Sequence, residues 1–140
     1  MTRSGEVARK QDVAEAELRI GGDHVVPSMV RALVGVSPSR AWAKGEPYPA
    51  PRSKQILERH SGLWAVTCKD ATVEGAAQSL LKLMEPHVES MRAAAAQSQG
   101  SVSVAIWWDP AAGQGGFTLD SDIVKRLAEL GERIDFYFPG

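Results

Sequence analysis

The chain has 140 residues, within the ~100–200 of an ordinary domain, and 44% of them are hydrophobic. Its 16 Lys and Arg stand against 17 Asp and Glu for a net charge of −1, with a single cysteine, Cys68. These figures exclude an intramolecular disulfide scaffold, a cysteine-rich metal site, a collagen-like repeat and a wholly disordered chain.

Residues 1–12 are polar and aperiodic, and a flexible tail is expected there, ahead of a single α+β domain over residues 13–140. The tail lacks the apolar core of a secretory signal, and no stretch approaches the ~18 apolar residues of a membrane span, so a cytoplasmic protein with no membrane contact is expected. Near-neutral charge also speaks against nucleic acid as a partner.

Ala14, Ala16, Leu18 and Ile20 alternate with Glu15, Glu17 and Arg19, which predicts a half-buried strand ending at the turn Gly21-Gly22-Asp23. Val26, Met29, Val30, Leu33 and Val34 hold helical spacing, with Pro27 suited to the first turn and Gly35 to the end. Arg40 to Lys44 alternates again and predicts a short edge strand. Gly45 to Pro51, with three prolines, predicts a rigid irregular loop. Residues 53–60 fit either a helical turn or more loop. Leu63 to Lys69 predicts a strand with Trp64, Val66 and Cys68 on one face. Asp70 or Thr72 can cap the helix carried by Val73, Ala76, Ala77, Leu80, Leu81, Met84, Val88 and Met91. Pro86 lies inside that run and must kink or divide it. Val102, Val104, Ile106 and Trp108 predict the next strand, followed by a glycine-rich loop over residues 111–116 and a very short returning strand, Phe117 to Leu119. Asp120 or Ser121 caps a helix with the stripe Ile123, Leu127 and Leu130, and Arg133 to Phe138 closes the chain as a strand with Ile134, Phe136 and Phe138 on one face.

Strands with one polar face suit an antiparallel or mixed sheet covered by helices on the other face. The expected fold is therefore α+β and broadly ferredoxin-like. The matching positions of Pro27-Ser28 and Ser121-Asp122, each opening a helix between extended segments, raise two related strand–helix–strand halves around the central helix.

Longer stretches carry a resemblance. Leu18-Arg19-Ile20-Gly21-Gly22-Asp23, Gly35 to Gly45 (Gly-Val-Ser-Pro-Ser-Arg-Ala-Trp-Ala-Lys-Gly), Gly62-Leu63-Trp64, Leu80-Leu81 followed by Pro86, and Leu130-Gly131 with Asp135-Phe136-Tyr137 together resemble a bacterial family catalogued as domain of unknown function 4279. The resemblance runs from about residue 14 onward. It implies the extent of the fold and marks Trp42 to Gly45 as a family-like feature, and it carries no catalytic role.

Arg40, Trp42 and Lys44 fall on one face if their segment is extended, placing two cations beside an indole. Arg offers a fork of donors, Lys a point charge and Trp a flat apolar platform. The same charges would also simply guard a sheet edge. Trp107 must point away from core-facing Trp108, toward solvent or a partner. Trp64 is placed with Arg40, Trp42 and Lys44 as the lining of an anion-binding pocket. His24, His60 and His87 are too scattered for a metal motif, Gly113 to Gly116 lacks the lysine of a phosphate loop, and Cys68 reads as a buried inert thiol. No catalytic set, metal or cofactor is expected.

The leading expectation is a non-enzymatic module that binds an unknown protein partner, by analogy an antitoxin or immunity protein. The alternatives are a small enzyme or binding protein for a small anionic ligand, and a homo-oligomer that uses its own sheet as the interface.

Overall fold

A computed structural model describes residues 12–111 and 115–138. The tail expected over residues 1–12 falls almost wholly outside them, as does the middle of the glycine-rich loop. The described strands are β1 (Val13–Gly22), β2 (Arg40–Trp42), β3 (Pro47–Pro49), β4 (Ile56–Glu58), β5 (Gly62–Asp70), β6 (Ser101–Asp109) and β7 (Ile134–Tyr137). The helices are α1 (Pro27–Val34), α2 (Val73–Met84), α3 (Val88–Gln97) and α4 (Ser121–Leu130), with a 3₁₀ turn at Glu85–His87.

The main sheet runs β2-β5-β1-β6-β7, and β3 pairs with β4 in a separate ribbon. β1 is antiparallel to both neighbours, β2 is antiparallel to β5, and β7 lies parallel to β6. The sheet is therefore mixed, and the fold is α+β. β1 and β2 run parallel with β5 between them, while β5 and β6 run parallel with β1 between them, which is a split strand–helix–strand arrangement. β6 and β7 enclose no strand. The units around α1 and α4 are thus not equivalent halves: α4 and β7 extend one edge of the sheet.

One face of the sheet carries the core. Ala14, Ala16, Leu18 and Ile20 of β1, Trp64 and Val66 of β5, and Val102, Val104 and Ile106 of β6 are buried against Val30, Leu80, Leu81, Met84, Met91 and Leu127 of the helices. Alternation on the strands and helical spacing in the stripes thus meet in one apolar layer, which is what offsets the entropy of ordering the chain. Pro86 divides the long helical run as expected, through the 3₁₀ turn between α2 and α3. The hydroxyl of Thr72 accepts from the Gly75 amide at 2.9 Å and caps α2, while Asp70 accepts from the Thr72 amide and hydroxyl. Gly35 ends α1 at φ 77°, left-handed as a C-terminal cap requires. Asp120 precedes α4 without a side-chain cap bond.

Several local expectations are corrected. β1 continues through Gly21 and Gly22, and the turn follows at Asp23-His24. β2 stops at Trp42, so Lys44 sits in a turn. The proline-rich loop and the segment after it form the β3–β4 ribbon, where Tyr48 lies opposite Leu57. Two-stranded ribbons tolerate proline because each strand has a free edge. Residues 117–119 form no strand. Phe136 and Phe138 remain largely exposed rather than joining the core.

At one end of the sheet Gly22, Gly62 and Gly100 sit where neighbouring backbone leaves no room for a Cβ. A Cβ on Gly62 would lie 2.5 Å from the Val25 carbonyl oxygen and 2.9 Å from that of Gly22, and one on Gly100 would lie 2.7 Å from that of Gly21. Backbone cannot yield as a side chain does. Gly62→Ala is expected to cost about 1–3 kcal/mol in a urea melt. An unchanged midpoint would mean that the close approach is slack.

Candidate functional site: the uncovered sheet face

The face opposite the helices is built by the other half of each alternation. Strand register sorts it into rows. Arg40, Ala65, Arg19 and Ser103 lie side by side on β2, β5, β1 and β6. Arg133 extends this row, because its carbonyl accepts from the Val104 amide and Ile134 lies beside Val104. Three arginines thus share one line across the sheet, separated only by the small residues Ala65 and Ser103. On one side the next row is Thr67, Glu17, Ala105 and Asp135, and beyond it come Lys69, Glu15, Trp107 and Tyr137. On the other side lie Trp42, Leu63, Gly21 and Ser101.

Glu17 is the electrostatic centre. Its side chain is only 3% exposed although no helix covers it. Arg40 donates to it twice, from Nη2 at 2.8 Å and Nε at 3.1 Å; Arg19 Nε donates at 2.6 Å and the Thr67 hydroxyl at 2.7 Å. Burial alone would raise the Glu17 pKa, but the bonds from Arg40, Thr67 and Arg19 together outweigh it and hold the carboxyl below its ordinary value. The same pairing holds the Arg19 guanidinium charged against the cost of its own burial. Arg133 gives Nε to Asp135 at 3.1 Å, and Lys69 reaches Glu15 at 3.4 Å.

Aromatic groups flank the charges. Trp107 and Tyr137 stack at 5.2 Å between ring centres, and the Arg19 guanidinium lies 4.9 Å and 5.7 Å from those two rings. At the opposite corner, Arg59 from the loop after β4 sits between Trp42 and Tyr48, 3.7 Å and 3.8 Å from their centres. Trp42 Nε1 donates to the Ser61 carbonyl at 3.1 Å, fixing the indole. Between Trp42 and Arg133 lies a depression of about 420 Å³ floored by Gly21, Gly22, Ser101 and Ser103 and walled by Arg19 and Arg133, with no carboxylate among the described residues that line it. Gly21 and Gly22 keep their part of this floor free of side chains, so the Ser101 and Ser103 side chains are the polar groups it presents.

Of the residues singled out from sequence, Arg40, Trp42 and Trp107 share this face. Lys44 does not align with them: it pairs with Asp23 at 3.2 Å, half exposed, in the turn after β2. Trp64 is fully buried on the helical side, so it lines no pocket with Arg40 and Trp42. Sequence reading missed Glu17, Arg19, Arg59, Arg133 and Tyr137. Glu17 and Arg19 were visible as the polar half of an alternation. Arg59 carried no local signal, because the ribbon that positions it was not foreseen. Cys68 is half-buried, and burial pushes its thiol above the ordinary range. Among the described residues no cluster of His, Cys, Asp and Glu is placed to hold a metal ion, and no helix is long and apolar enough to cross a membrane.

Fold and face together define an α+β protein with a helix-covered mixed sheet whose second face is left as an arginine–aromatic surface. The chain belongs to the family described as a domain of unknown function (DUF4279), which it matches over residues 11–138. No curated protein and no solved structure shows significant similarity to it.

Proposed function

We propose that this protein is a non-enzymatic binding module whose uncovered sheet face takes an acidic segment of a partner protein. The observation that carries the reading is the line Arg40, Arg19 and Arg133 across the sheet, opening at one end into a depression lined by Arg19 and Arg133 without a carboxylate. A carboxylate entering there meets guanidinium groups, the Ser101 and Ser103 side chains and the Trp42 indole wall. Glu17 anchors Arg19 and Arg40 from beneath, so these side chains are ordered before binding, which lowers the entropy cost of docking. Trp and Arg are also the residues that most often anchor protein interfaces.

Titration calorimetry with a Glu/Asp-rich peptide tests this. Saturable binding is expected, weakening as salt rises. Arg133→Ala and Lys69→Ala, both on exposed side chains outside the Glu17 cluster, are each expected to weaken it about 3–10-fold. No saturable heat, or binding indifferent to both substitutions, would refute the reading. A second reading, a small anionic ligand, is favoured by the same depression, whose size lies in the ligand-pocket range. Pyrophosphate that binds more tightly than the peptide would select it.

A further inference from the structure

A second concavity lies at the far end of the sheet, where β1 begins and β6 and β7 end. Its volume is about 450 Å³, and it is lined by Val13, Glu15, Trp107, Trp108, Asp109, Tyr137 and Phe138. Four of these are aromatic and two are carboxylates, and among the described residues the lining holds no cation. The arrangement follows from register: Glu15 lies beside Trp107, Val13 beside Asp109, and Trp107 beside Tyr137. The walls are braced, because Trp107 stacks on Tyr137 and Trp108 meets Phe138 edge to face at 6.3 Å. Tyr137 and Phe138 are nonetheless exposed, so the cleft is reachable from solvent.

The lining defines the charge of what enters. Aromatic faces carry negative potential and attract cations, most effectively weakly hydrated ones. The fold already uses two of these rings in this way, since Arg19 approaches Trp107 and Tyr137 from the open-face side. Glu15 adds a full negative charge, partly balanced by Lys69, which lies outside the cleft lining. Four aromatic residues line the cleft against two carboxylates, which suits a methylated ammonium better than a primary amine that needs three acceptors.

We propose that this cleft binds a small organic cation with a quaternary ammonium head. The inference is independent of acidic-peptide docking on the arginine row. Choline is the probe, and its neutral carbon isostere 3,3-dimethylbutan-1-ol is the control, with binding followed by NMR shifts of the indole and phenol resonances. Choline is expected to shift the Trp107 and Tyr137 signals saturably and to bind about tenfold more tightly than the isostere. Glu15→Gln and Tyr137→Leu are expected to weaken choline several-fold, and Tyr137→Phe, which keeps the ring, to retain it. Absence of saturable shifts, or equal affinity for the isostere, would overturn the proposal. The isostere comparison is made on the wild-type chain, so it stands even if a variant fails to fold.

Discussion

Trp64→Ala is expected to remove about 3–5 kcal/mol of stability, lowering Tm by roughly 10–20 °C. Trp64 is the largest of the fully buried side chains and sits on β5 beneath the helical layer. That loss is a large share of the roughly 5–15 kcal/mol that holds a domain of this kind together. Trp64→Phe is expected to behave differently. The indole Nε1 of Trp64 is buried without a hydrogen-bond acceptor among the described residues. Phenylalanine removes that orphan donor while keeping most of the apolar volume, so the cost should stay below about 1.5 kcal/mol. Calorimetric melts of both variants check the pair. An alanine variant as stable as the wild type would show that Trp64 is not a core residue.

Glu17→Gln is expected to cost about 2–4 kcal/mol at neutral pH, because it leaves Arg19 and Arg40 without the charge that both donate to. The upper end is discounted because the Arg40 side chain is 43% exposed. The cost should depend on pH. The folded-state pKa of Glu17 is held below its unfolded value, despite burial, by its bonds to Arg40, Thr67 and Arg19. Its contribution is therefore fully present above the unfolded pKa of about 4.3 and is lost as pH falls through the lower folded value. The gap between wild type and Glu17→Gln should narrow on acidification below about pH 4.3. Urea melts at pH 7 and pH 3 measure it, and a gap that stays constant between them would mean the carboxylate is not the source of the stabilisation.

How much of this was legible in the sequence depended on the range of the signal. Val102, Val104, Ile106 and Trp108 declared β6 because alternation is local, and Pro86 declared the break between α2 and α3 for the same reason. The β3–β4 ribbon was illegible because three-residue strands, one of them bearing Pro47 and Pro49, carry no period. The arginine row was illegible for a different cause. Arg19, Arg40 and Arg133 lie on separate segments, and only strand register, set by tertiary packing, aligns them. The burial of Trp64 is legible locally: it alternates in phase with Val66, while Leu63 and Ala65 are the residues that face the same side as Trp42 and Arg40. Glu17 read as an ordinary solvent-facing acid, since nothing local announces that two arginines and a threonine will close over it.

Amide NMR mapping of the chain titrated with the Glu/Asp-rich peptide tests most directly that the uncovered sheet face is the binding surface. The shifts should concentrate at Arg19, Gly21, Gly22, Ser101, Ser103 and Arg133, and leave the outer faces of α3 and α4 unmoved. Shifts centred on those helices, with the sheet face silent, would contradict it.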